Sequence, residues 1–257
     1  MERGRKNWKT SVLFLVVLWL TLLIASVTIL SSVVTPFLRS LQTQNLVSLD
    51  WAGYSVASNN LFPQPLVSNV SGFWTIPTVT VSSLNAYSAA WVGVGGLNDE
   101  SLIQAGSEHD SVNGKAVYSL WYELLPNNAI TIPDIIVSPG DEITASVSLV
   151  DSYSNTWSIK IQDVTTGQLF SRDFVYNSSR LTAEWVIERP TVNNRLTNLA
   201  DFGSITFTDA KAGIDTTYET IGKYSNYVIL MEDRQNNQLV TVSDLSRDGS
   251  SFTITFR

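Results

Sequence analysis

Two residues in this chain have side chains suited to hydrolytic chemistry and no obvious reason to sit where they do. Glu184 lies in Leu181-Thr-Ala-Glu-Trp-Val-Ile-Glu188, an apolar, β-branched run stopped by Pro190, which cannot donate to a ladder. Read as a strand, period two puts Thr182, Glu184 and Val186 on one face and Ala183, Trp185 and Ile187 on the other. A carboxylate opposite that apolar face is either solvated on a convex surface or held in a groove for a purpose; lone strand charges usually face water. Gln104 is a neutral amide interrupting the apolar run Leu102-Ile-Gln-Ala-Gly106. An amide on an edge strand that bonds backbone is the bland alternative there.

Much other chemistry is excluded. With no cysteine, thiolate metal sites and cysteine nucleophiles cannot occur. The single histidine, His109, lies in Ser107-Glu-His-Asp110, a polar run that reads as an exposed turn and lacks a nucleophile-elbow pattern, so a serine triad is not supported. Paired zinc-binding histidines and phosphate-cradling glycine loops are absent, and Gly93-Val-Gly95-Gly96 has no helix after it. The acidic residues are scattered, so no metal ligand set and no cofactor is expected. A hydrolase built on this chain must work with carboxylates and amides.

The elements that would position these groups are strands. Short apolar or alternating runs recur from Leu49 onward, at Val70–Ile76, Tyr87–Val94, Leu102–Ser107, Ala116–Leu124, Glu142–Val150, Thr156–Asp163, Gln168–Val175, Leu181–Glu188, Ser204–Thr208, Tyr227–Glu232, Gln238–Ser243 and Ser251–Phe256. Turn signals such as Ser138-Pro-Gly-Asp141, Thr166-Gly167 and Asp248-Gly249 separate several of them. Beyond residue 36 no stretch sustains helical periodicity, so the fold is expected to be all-β, an antiparallel sandwich or barrel.

Upstream, Met1–Thr10 is a basic flank and Ser11–Val34 runs 24 residues without a charge. As a helix that run spans about 36 Å, enough to cross a bilayer. The segment 11–36 therefore reads as a transmembrane signal anchor or signal peptide, with 1–10 cytoplasmic, 37–49 a connector and 50–257 an extracytoplasmic domain, membrane-bound or secreted if cleaved. Residues 1–39 hold five of 16 basic and one of 23 acidic residues, so the outer part has 11 basic against 22 acidic. That acidity excludes nucleic acid as a partner. It also leaves few cations to repel one another once the carboxylates neutralise in acid. Asn69-Val-Ser71 and Asn177-Ser-Ser179 are glycosylation triplets.

Trp51-Ala-Gly-Tyr, Trp91-Val-Gly-Val, Ile103-Gln-Ala-Gly, Trp121-Tyr-Glu123, Pro139-Gly-Asp141, Thr165-Thr-Gly-Gln168, Ala183-Glu-Trp-Val-Ile-Glu188 and Asp201-Phe-Gly-Ser-Ile-Thr-Phe207 occur in this order. The ordered set resembles the glutamic peptidases (eqolisins) across roughly residues 50–257. The resemblance implies a two-sheet antiparallel β-sandwich, concanavalin-like or jelly-roll-like, that binds extended polypeptide substrates on a concave face. It assigns the catalytic pair to Gln104 and Glu184 and makes Trp51, Trp91, Trp121 and Glu123 candidates for lining or supporting the groove. In this reading an ionised Glu184, titrating near the usual ~4.3, takes a proton from water, and Gln104 donates to the oxyanion. The two side chains should meet on one surface, close enough to share a water. An acid endopeptidase, metal-free and monomeric, is the expectation; a non-catalytic, lectin-like or adhesive surface module is the alternative. Two departures from the family pattern stand out: Gly95 where an aspartate is usual, and Leu125 where a tyrosine is.

Overall fold

The computed structural model describes residues 44–57, 66–97 and 99–257. The proposed membrane segment and most of the connector lie outside the described residues. Among those described, no helix is long and apolar enough to cross a membrane. Residues Thr43–Arg257 form one compact unit.

The strands run in chain order as follows. β1 (Gln44–Ser48), β2 (Trp51–Ala57), β3 (Val67–Thr75), β4 (Ala86–Tyr87), β5 (Ala89–Gly95), β6 (Leu102–Val112) and β7 (Lys115–Leu124) come first. Next are β8 (Ile130–Thr131), β9 (Glu142–Asp151), β10 (Thr156–Asp163), β11 (Leu169–Val175), β12 (Thr182–Glu188), β13 (Thr191–Val192), β14 (Arg195–Leu196) and β15 (Asn198–Leu199). The last are β16 (Ser204–Ile214), β17 (Thr217–Thr220), β18 (Asn226–Met231), β19 (Val240–Val242) and β20 (Phe252–Phe256), with a 3₁₀ turn at Ile221–Lys223. Ten strands make one sheet along the path β1-β18-β2-β12-β5-β6-β4-β15, with β7 and β8 continuing from β6. Eight make a second, β11-β10-β9-β3-β16-β20-β19, with β17 on β16. Pairing is antiparallel except at β1–β18 and β15–β4, which are parallel.

Alternation along the strands builds the core between the sheets. Tyr54, Val92, Val94, Ile103, Ala183, Trp185 and Ile187 face inward from the larger sheet, and Val70, Trp74, Ile143, Val147, Trp157, Ile159, Phe207 and Ile254 from the smaller. Two buried tryptophans also pin the sheets by their polar edges. Trp185 donates its indole N–H to the Ser71 carbonyl at 2.7 Å, and Trp74 donates to Ser107 Oγ at 2.8 Å. Each ring thus buries its area without leaving an unpaired donor.

The second face of the larger sheet is covered as well. Ala89, Trp91, Leu102, Trp121, Val186 and Ile229 form a separate apolar cluster there, with Trp51, Leu97 and Leu125 packed against it. That coverage explains why β5 and β12 are buried at nearly every position instead of alternating.

Three expectations need correction. β2 was not among the expected strands, although its alternation carries Ala52, Tyr54 and Val56 into the core. β6 does not stop at Ser107 but runs on to Val112, turning at Asn113 (φ 53°) and Gly114 (φ 72°). His109 is consequently no exposed turn residue: it is fully buried in mid-strand, with Nε2 2.7 Å from Ser107 Oγ. Burial drives its pKa down to about 3.

Candidate functional site

Strand register gathers the expected residues on the face away from the core. Glu184 on β12 is level with Gly93 on β5 and with Ser55 on β2. Gly93 is level with Gln104 on β6, which is level with Glu123 on β7. A single cross-strand row therefore reads Tyr227, Ser55, Glu184, Gly93, Gln104, Glu123, with Tyr227 contributed by β18. Glu184 and Gln104 are two strands apart, about 9.6 Å between backbones, and their side chains rise on either side of a residue that has none. A Cβ on Gly93 would stand 3.1 Å from Gln104 Cβ and 2.9 Å from Leu102 Cδ1. Any side chain at that position would crowd Gln104 and its neighbours.

Each member of the pair is hydrogen-bonded at one end and unpaired at the other. Ser55 Oγ donates to Glu184 Oε1 at 3.2 Å, while Oε2 is buried without a partner. Gln104 Nε2 donates to Glu123 Oε2 at 2.6 Å, while Gln104 Oε1 is buried without a partner. Glu184 is wholly buried and Gln104 is 3% exposed. The convex, solvated alternative for Glu184 is therefore overturned, and so is the edge-strand alternative for Gln104, since β6 is flanked by β5 and β7.

Burial holds the Glu184 carboxyl well above its ordinary pKa, against the hydroxyls of Thr182 and Ser55, which favour the ion. Burial also raises Glu123, opposed by its bond from Gln104. Both shifts favour the neutral carboxyl.

The next row along the strands is the apolar floor: Leu46, Ile229, Gly53, Val186, Trp91, Gly106 and Trp121. Trp91 is fully buried, and its indole donates to Glu188 Oε2 at 2.8 Å, so it supports the site from below. Burial pushes the Glu188 carboxyl up to about 8, against the indole hydrogen bond, which favours the ion. Trp51 stands edge-on to Trp91, ring centroids 4.9 Å apart and planes at 78°. Trp121 is nearly buried, with its indole nitrogen unpaired. Of the four residues expected to line the groove, Glu123 bonds Gln104 directly, Trp91 and Trp121 stand in the next row, and Trp51 stands one row further, level with Glu188.

Sequence reasoning missed Ser55 and Tyr227. The signal for Ser55 lay in β2, where period two from Trp51 places Gly53 and Ser55 on the Glu184 face. Nothing in the local sequence of β18 marks Tyr227. The departures from the family pattern also have local causes. Gly95 adopts φ 91°, and a Cβ there would lie 2.1 Å from the Ser101 carbonyl oxygen, so no side chain fits. Leu125 packs into the apolar cluster of the floor, and its carbonyl accepts from Tyr176 Oη at 3.0 Å.

Comparison with known proteins gives the family. The family model of the Peptidase A4 family matches residues 49–256, so the chain belongs to that family, and the protein is a glutamic-type peptidase. It is 28% identical over 238 residues to aspergillopepsin-2 of Aspergillus niger, covering 83% of this chain and 79% of that protein. Its fold matches aspergilloglutamic peptidase from Aspergillus niger with a TM-score of 0.60 at 29% identity, covering 67% of this chain and 99% of the other. Scytalido-glutamic peptidase, solved with a transition state analog inhibitor, matches with a TM-score of 0.69 at 22% identity, covering 82% and 99%.

Proposed function

We propose that Glu184 and Gln104 are the dyad with which this acid endopeptidase hydrolyses peptide bonds in extended polypeptides. The observation that carries the reading is the shared row: an acid and an amide flank side-chain-free Gly93, each with one buried oxygen unpaired. Such orphaned polar atoms are costly unless a ligand or water satisfies them.

The neutral state of Glu184 sets the order of proton transfers. Oε2–H gives its proton to the scissile carbonyl oxygen as water adds to the carbon, and the carboxylate so formed takes the proton that water loses. The tetrahedral diol then collapses: Glu184 passes its proton to the leaving nitrogen and recovers one from a diol hydroxyl. The carboxyl ends as it began, and water is the only co-reactant. Gln104, which does not titrate, supplies an N–H to the oxygen on which charge develops, a contribution worth about 3 kcal/mol in comparable sites. An enzyme that needs the protonated carboxyl loses activity as pH rises through that group's pKa, giving an acid optimum.

Casein digestion at about pH 3, below the usual carboxylate range, by the wild type and by Glu184→Gln tests the assignment. Activity in the wild type alone supports it; equal activity in both contradicts it. Family membership and the orphaned pair favour the enzyme, and no observation favours a purely adhesive module.

We also propose that residues 11–36 anchor the domain to a membrane or direct it outward. The support is the 24-residue uncharged run behind a basic flank. Retention of the full chain in a carbonate-washed membrane pellet, against release of a shortened one, distinguishes anchor from cleaved leader.

A further inference from the structure

β1 lies just before the segment that the family model matches, which begins at residue 49. It nevertheless joins the catalytic sheet, pairing in parallel with β18 so that Leu46 is level with Ile229. Leu46 thereby extends the apolar floor row by one strand at its Ile229 end. A cavity of about 430 Å³ opens there, lined by Leu46, Val47, Asp50, Trp51, Leu97 and Ile229 together with backbone and Ser48. Its walls come from three places: the connector strand, the sheet floor, and the turn after β5.

We propose that this cavity is a substrate subsite that takes one large apolar or aromatic side chain of the polypeptide being cleaved, and that Leu46 is a specificity-determining residue. The inference rests on the dyad reading, because it places the peptide along the same face. Strand spacing and rise put Ile229 about 12 Å from Glu184, two strands over and two residues along. An extended peptide advances about 3.3 Å per residue, so the side chain received lies three to four residues from the scissile bond. The volume exceeds that of any single side chain and falls within the range of ordinary ligand pockets. The walls are mixed, polar and apolar in about equal parts, and the apolar part sets the class proposed. Leu46, Leu97, Ile229 and the Trp51 ring offer apolar surface. Asp50 also lines the cavity, and Ser48 Oγ donates to its Oδ1 at 2.6 Å. Trp51 is held in place from beneath by its edge-on contact with Trp91. The floor of the subsite and the floor of the dyad are thus one row, and the peptide can lie across both without a bend.

The test uses the full chain and peptides that place Phe or Ala three and four residues from the cut on either side. In the wild type, kcat/KM should favour Phe over Ala at one of those positions by about tenfold or more. Leu46→Ala should reduce that ratio several-fold. Asn45→Ala, one residue away on β1 and outside the cavity lining, should leave it as in the wild type. Measurable cleavage with no preference for Phe at any of these positions overturns the subsite while leaving the dyad reading standing. So does an equal loss of preference in Leu46→Ala and Asn45→Ala, which would mean that only the strand had been disturbed. Failure of the wild type to cleave any peptide overturns the dyad reading and the subsite with it.

Discussion

Substituting alanine for Gly93 probes the space on which the proposed chemistry depends. The backbone of β5 at this position is ordinary strand, so a methyl group brings no conformational penalty of its own. What it meets is crowding: Leu102 Cδ1 at 2.9 Å, Trp91 Cζ3 at 3.0 Å and Gln104 Cβ at 3.1 Å. Carbon pairs prefer 3.5–4.0 Å, so each contact is short by about 0.5 Å. Leu102 can yield by rotating its terminal methyl. Trp91 cannot, because Glu188 holds its indole, and Gln104 Cβ moves only with β6. Overpacking of this kind costs about 1–3 kcal/mol, which leaves the domain folded. The catalytic effect should be larger in proportion. Displacing Gln104 by several tenths of an ångström is expected to lower kcat/KM about 100-fold. The assay is cleavage of a fluorogenic peptide in acid, with urea denaturation of the same protein as the control for folding. A folded Gly93→Ala protein with wild-type kcat/KM would refute the claim that the reaction takes place above this residue.

Further expectations concern the surrounding groups. Glu123→Ala frees the Gln104 amide that Glu123 now holds at 2.6 Å, so kcat should fall about tenfold or more with the fold retained, and Glu123→Gln should restore part of it. Burial raises Asp110 to about 7 and Glu188 to about 8, so the stability they contribute is complete below about pH 4 and is lost as pH rises through 7 and 8. His109 runs the other way: its stability is present above about pH 6.5 and is lost as pH falls toward 3. With Glu184 and Glu123 also raised by burial, the carboxyls outweigh the one imidazole, so the Tm should be higher at about pH 5 than at about pH 8, and Asp110→Asn should narrow that difference. A Tm that climbs steadily from acid to alkaline pH would contradict this. In a glycosylating host, Asn177→Gln should lower the mass by one glycan because Asn177 is exposed. Asn69→Gln should leave the mass nearly unchanged, since the Asn69 amide already donates to Ser148 Oγ within the sheet.

The strands that carry the site were legible because their apolar residues alternate and their ends bear turn residues. Thr156–Asp163, for example, has the bounds expected from its sequence. Faces were legible too: period two placed Glu184 opposite Trp185, as found. Which strands neighbour one another was not. β12 lies between β2 and β5, partners separated from it by more than eighty residues, and no local pattern encodes that order. Hence the row that unites Glu184, Gly93 and Gln104 follows from topology, and only the family resemblance hinted at it. His109 shows the opposite failure, where a readable signal was overridden. Ser-Glu-His-Asp has the composition of a turn, yet Asn113-Gly114 just beyond it is the stronger hairpin signal, and the ladder to β7 continues through His109 opposite Tyr118. The protonation state of Glu184 was out of reach for another reason. A pKa depends on desolvation, and desolvation depends on the apolar cluster that covers the outer face of the sheet.

The pH dependence of kcat/KM for wild type and Glu184→Gln, measured on one peptide from acid to neutral pH, tests the dyad most directly. The wild type should be active in acid and decline along a single limb as the Glu184 carboxyl ionises. Glu184→Gln should be folded and slower by at least about a thousandfold, with no such limb. A Glu184→Gln enzyme that keeps the wild-type rate and the wild-type limb would show that another group does the chemistry.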